Sequence, residues 1–215
     1  VAAYQAALAL GADKALVAPR LFALYYQLHL HADLIQLTAA PVPGVPPNLL
    51  ALVRAESLLA LNRWKEAEAE AQKIPAGSEE APRAALVAAQ ALIKQGKLKE
   101  AAAPLELAVA KLVDLPPATH LALAECLFDS GRPDDARKAV AAALAGANRL
   151  PDAERTALET QCALLDIRAA LEAKDSPRLI RLIEDNRRRL PADKLPEILY
   201  LRLFALNQNH DTSAI

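Results

Sequence analysis

Asn62-Arg-Trp-Lys-Glu-Ala67 returns as Gly96-Lys-Leu-Lys-Glu-Ala101 and again as Gly131-Arg-Pro-Asp-Asp-Ala136, at steps of 34 and 35 residues. Seven residues before each stretch stands an alanine (Ala55, Ala89, Ala124), and four before each a leucine (Leu58, Leu92, Leu127). Residues three apart share a helix face, so each alanine and leucine belong to the apolar side of a helix that ends at the Asn or Gly. A repeat of this length with a turn in its middle cannot bury its apolar face alone and must stack on its neighbours. The expected fold class is therefore all-α: an α-solenoid of stacked antiparallel helix hairpins. Such an object presents a long surface, which makes what it binds the first question.

Proline marks the same period. Pro47, Pro82 and Pro117 stand 35 residues apart, each before an apolar-periodic segment, where a proline at the first helical position forfeits no hydrogen bond. First helices of about 14 residues, roughly 20 Å long, should run from these prolines to the turns, and second helices should return. Glu66, Glu100, Asp134 and Asp135 suit the positive end of those second helices, and Ser176-Pro177 reads as an N-cap followed by a first-turn proline. The expected units are 15–47, 48–81, 82–116, 117–159 and 160–193. Residues 1–14 read as the tail of a preceding repeat, 194–215 as a partial one, and the whole of 1–215 as one array cut from a longer protein. The fourth unit is long, so the next first helix should start early, at Asp152, and run to near Ala173. The stretch Ala39-Ala-Pro-Val-Pro-Gly-Val-Pro-Pro47 should be held extended by its prolines, as an ordered crossing or a mobile loop. Pro104 falls inside a predicted second helix and should kink or shorten it.

The totals narrow the function classes. With 53% hydrophobic and 24% charged residues and a net charge of -1, the chain has ample core and is no polycation, which disfavours nucleic acid as a partner. No stretch approaches the roughly 18 apolar residues of a membrane span. Cys126 and Cys162 lack metal-ligand or CxxC spacing and read as buried free thiols, although pairing across neighbouring helices stays open. Among the four histidines only His29 and His31 are close, and on a helix an i, i+2 pair points to different faces, a poor arrangement for a metal.

The small, large and small slots filled by Ala55/Leu58/Ala67, Ala89/Leu92/Ala101 and Ala124/Leu127/Ala136 resemble those of the tetratricopeptide repeat family. Pro46 and Pro191 fill its terminal proline slot, and Phe22/Tyr25/Leu34 and Ile167/Ala170/Leu179 are looser versions. The family's tryptophan is missing, and alanine replaces its first-helix glycine. The resemblance implies a right-handed superhelix that holds protein partners on its concave face. Carried onto this chain, the partner-facing first-helix positions include Leu52, Glu56, Leu86, Gln90, Ile93, Leu121, Glu125, Phe128, Leu164 and Arg168. The lysine and asparagine with which one subfamily clamps a peptide carboxylate are absent from these places. The apolar stripe has two readings: a groove for an apolar or amphipathic segment, or surface buried between successive first helices.

Catalysis has little foothold. There is no nucleophile elbow, phosphate-binding glycine loop or HExxH helix, and no cofactor or metal site is expected. Arg187-Arg188-Arg189 reads first as a helix C-terminus whose cations complement exposed carbonyls, with an anionic partner site as the rival. Trp64, in a turn between helices, reads as packing between repeat units. The functional expectation is thus a non-catalytic scaffold for protein partners. Direct polysaccharide binding would need exposed aromatics, for which Phe128 and Tyr26 are the candidates, and end-to-end self-association is a further possibility. The Ala/Leu-rich, loosely conforming repeats are also similar in style to periplasmic arrays of bacterial exopolysaccharide export proteins, which recruit polysaccharide-modifying enzymes. That likeness favours the periplasm over a regulatory role in the cytoplasm.

Overall fold

The computed structural model describes residues 1–190 and 198–203. Every regular element among them is helical: α1 (Ala2–Ala9), α2 (Lys14–Gln27), α3 (His31–Leu37), α4 (Pro47–Ala60), α5 (Trp64–Ala71), α6 (Ala81–Lys94), α7 (Leu98–Lys111), α8 (Pro117–Asp129), α9 (Pro133–Gly146), α10 (Asp152–Glu172) and α11 (Ser176–Asn186). A short 3-10 turn spans Ala147–Arg149, and 198–203 are helical. The partial repeat expected from 194 lies outside the described residues apart from 198–203, as do Pro191 and His210.

One local structure closes five successive helix pairs. His29, Asn62, Gly96, Gly131 and Lys174 all adopt the left-handed backbone conformation, with φ between 52° and 76°. At each of them the next residue's N–H reaches back five positions: Leu30 to Tyr25, Arg63 to Leu58, Lys97 to Leu92, Arg132 to Leu127 and Asp175 to Ala170, at 2.9 to 3.0 Å. This is the Schellman closure, which satisfies carbonyls that the helix end would otherwise leave bare. The chain then re-enters a helix within two residues. The pairs α2/α3, α4/α5, α6/α7, α8/α9 and α10/α11 pack as hairpins. The accepting residues are those in the large slot of the repeat, so the turns put all five pairs in a common register.

The chain divides into two compact units at Val113. In the first, α3 packs on α4, α5 on α6 and α4 on α6, so successive hairpins share faces. One core gathers Val17, Leu21, Phe22, Tyr25, Leu34, Val42 and Leu50, and a second gathers Leu52, Ala55, Leu58, Ala67, Ala71, Ile74 and Val87. Ala55, Ala67, Ala89 and Ala101 have no exposed surface, as small residues must where helix backbones approach closely. Trp64 opens α5 and packs half-buried against the second core. In the second unit, α10 packs on both α8 and α9, and Ile167, Ala170, Leu179, Ile183 and Leu190 form a core between α10 and α11. Gly146 ends α9 where a Cβ would lie 2.8 Å from the Pro117 ring, which explains a glycine there.

Helix starts follow the prolines. Pro47 and Pro117 are first residues of α4 and α8, and Pro82 is the second of α6. α10 runs from Asp152 to Glu172, the long first helix expected after Pro151. Three local expectations are corrected. Of the two effects expected of Pro104, shortening does not occur: α7 continues for seven residues past it, where burial of Leu105 and Ala108 offsets the missing hydrogen bond. The N-cap of α11 is Asp175 rather than Ser176, since its carboxylate accepts the Arg178 N–H at 3.1 Å. The 39–47 linker is an ordered crossing but not extended throughout: Val45 N–H bonds the Val42 carbonyl at 3.1 Å, and Val42 is buried in the core.

Candidate functional site

The first-helix face of each unit carries the residues expected to meet a partner. In the first unit, Leu52 is 0% exposed and belongs to the core between hairpins, so its expected contact with a partner is corrected to packing. Glu56, Leu86 and Ile93 are half-buried and Gln90 is exposed. Glu56 is tied across hairpins: its carboxylate accepts from Arg83 at 2.6 Å, and Arg83 also donates to the Tyr26 hydroxyl at 3.2 Å. Tyr26, Glu56 and Arg83 come from α2, α4 and α6, so one polar chain links the first helices of three hairpins. Tyr26 is itself exposed and stacks on Phe22 with ring centroids 6.5 Å apart.

In the second unit, Leu121 and Phe128 are 4% and 5% exposed, which corrects both to core residues. Leu164 is half-buried against the α10/α11 core. Glu125 and Arg168 are exposed. The Arg168 guanidinium lies 4.8 Å above the Phe128 ring and 3.4 Å from the Asp129 carboxylate, a cation–π contact backed by an ion pair. Desolvation and neighbouring Asp129 push the Glu125 carboxyl up, while Arg168 pulls it back. A polysaccharide platform on Phe128 is thereby excluded, because the face of that ring is covered.

Of the six apolar candidates, Leu52, Leu121 and Phe128 lie inside, while Leu86, Ile93 and Leu164 are half-buried. The exposed residues on these faces are polar and mixed in charge: Tyr26, Arg83 and Gln90 in one unit, beside half-buried Glu56, and Glu125 and Arg168 in the other. Sequence reasoning missed Tyr26 and Arg83 as partners of Glu56. Their link spans 57 residues, beyond any local pattern.

A cavity of about 120 Å³ opens beside Glu56, lined by Tyr26, His29, His31, Leu34, Glu56 and Ser57. A second, of about 210 Å³, lies between α11 and 198–203, with Glu184, Arg187 and Arg202 over Ile183, Leu190, Ile198 and Leu199. In the arginine triplet, Arg187 is the C-cap residue of α11 and Arg189 pairs with Glu159 of α10 at 3.6 Å. Both cysteines are buried free thiols, with pKa pushed up to about 11, chiefly by burial. Among the described residues, no three of His, Cys, Asp and Glu converge as a metal site, and no helix is long and apolar enough to cross a membrane. No protein-family profile, curated protein or solved structure matches the chain.

Proposed function

We propose that this chain is a protein-recruiting scaffold, a right-handed α-solenoid of tetratricopeptide type whose first helices hold a protein partner. The supporting observation is the Schellman turn repeated at His29, Asn62, Gly96, Gly131 and Lys174, which presents equivalent first-helix positions hairpin after hairpin. With Leu52, Leu121 and Phe128 occupied in helix packing, the partner is recognised by the polar residues of that face, Glu56 and Gln90 in the first unit and Glu125 and Arg168 in the second. Leu86, Ile93 and Leu164 supply apolar borders. An extended or helical segment with mixed charge suits such a surface.

Site-specific photo-crosslinking tests the reading. A benzophenone side chain placed at Gln90 or Gln161, both exposed on first helices, should trap the same discrete partner from extracts of the source cell. The same group at Ala103 or Ala141, exposed on second helices, should trap none. Equal trapping from all four positions, or none from any, would overturn the assignment.

A further inference from the structure

His29 and His31 do not lie on one helix. His29 occupies the left-handed turn after α2, and His31 opens α3. The helical spacing argument against the pair therefore does not hold. Their rings approach to 6.0 Å between centroids at an angle of 45°, and both line the 120 Å³ cavity. A metal about 2.1 Å from one nitrogen of each imidazole places two ring centroids roughly 5 to 6.5 Å apart. The observed separation lies in that range.

We propose that His29 and His31 bind a late first-row divalent metal ion, of the Zn²⁺ or Cu²⁺ class, in a two-imidazole site open to further ligands. His31 Nδ1 faces Ser57 Oγ at 3.4 Å, and Ser57 is 1% exposed, so a buried hydroxyl orients that ring. With Nδ1–H donating to Ser57, Nε2 keeps its lone pair for a ligand role, the arrangement that outer hydrogen bonds commonly impose on metal-bound histidine. The Glu56 carboxylate in the cavity wall adds negative charge, shared with Arg83. Imidazole nitrogen favours zinc, copper and nickel over calcium and magnesium. Two protein donors leave the remaining coordination positions to water, which the cavity has room for. At the matching turns of the next hairpins of this unit stand Asn62 and Gly96, so in this unit only the first hairpin carries imidazoles at its turn.

Calorimetric titration of the whole chain with Zn²⁺ near neutral pH should give one site. His29→Gly removes one imidazole and at the same time suits the left-handed backbone, so its loss of binding cannot be laid to unfolding. Either His29→Gly or His31→Ala should weaken Zn²⁺ by tenfold or more, while His120→Ala in the second unit leaves it unchanged. Ser57→Ala should weaken it within the 10- to 100-fold range typical of lost outer hydrogen bonds. Cu²⁺ bound to the unaltered chain should show electron paramagnetic resonance hyperfine structure from two equivalent nitrogens, reduced to one in His29→Gly. Absence of binding, or affinity retained in a variant lacking both histidines, would overturn the site.

Discussion

At Lys174 the turn between α10 and α11 asks a lysine to hold φ at 55°, where its Cβ crowds the backbone. Gly96 and Gly131 do the same work at equivalent places without that cost. Lys174→Gly should therefore raise stability by about 1 kcal/mol, and Gly131→Ala should lower it by a similar amount. Urea denaturation of the two variants checks both, and the prediction fails if Lys174→Gly is the less stable protein. The cysteines allow a second residue-level prediction. Burial first, then the Glu125 carboxylate for Cys126 and the Asp166 carboxylate for Cys162, raise each thiol from 9.0 to about 11. A folded pKa above the unfolded one means that the folded state holds its proton longer. The stabilising contribution is complete below pH 9 and fades as pH climbs toward 11. Denaturant midpoints at pH 8 and 10.5 should fall further for the natural chain than for the Cys126→Ala, Cys162→Ala double variant. That difference isolates the thiols from every other group in the chain.

Elements with several consistent signals were legible in the sequence; those decided by packing were not. The proline at a helix start and the Asn or Gly at its end bracket α4, α6 and α8 from two sides, and α10 follows from the extra residues before Asp152. Nothing local announced that α7 would run through Pro104, because the deciding quantity is burial of Leu105 and Ala108 downstream. The same holds for the candidate site. The register placed the candidates on the first helices, but how deeply Leu52, Leu121 and Phe128 sink depends on neighbouring helices far along the chain. His29 escaped for a different reason: its left-handed backbone took it off the helix on which the spacing argument rested. Pro104 yields the prediction at this scale. Restoring a backbone N–H opposite the Glu100 carbonyl and removing the ring clash should make Pro104→Ala more stable by about 1 to 3 kcal/mol. Slower amide exchange across the middle of α7 would accompany it. No gain in either measure would mean that the helix had already absorbed the proline by bending.

At the scale of the whole molecule the contacts sort into two sets, 1–113 and 114–215, each with its own core residues. In arrays of helix hairpins stability is a sum of local terms, so damage confined to one set of contacts need not reach the other. The repeat itself was legible because its slots recur along the sequence; the division was not, since the 35-residue spacing from Gly96 to Gly131 nearly matches the 34 from Asn62 to Gly96. The chain carries one tryptophan, Trp64, packed in the first unit, so its fluorescence reports there alone. Far-UV circular dichroism reports all helices. Leu127 is 2% exposed in the second unit, and truncating it to alanine should remove about 2 to 5 kcal/mol. In Leu127→Ala the circular dichroism transition should broaden or split toward lower urea while the Trp64 midpoint stays where it is in the unaltered chain. A Trp64 midpoint that drops in step with the helical signal would instead show the two halves unfolding as one cooperative body.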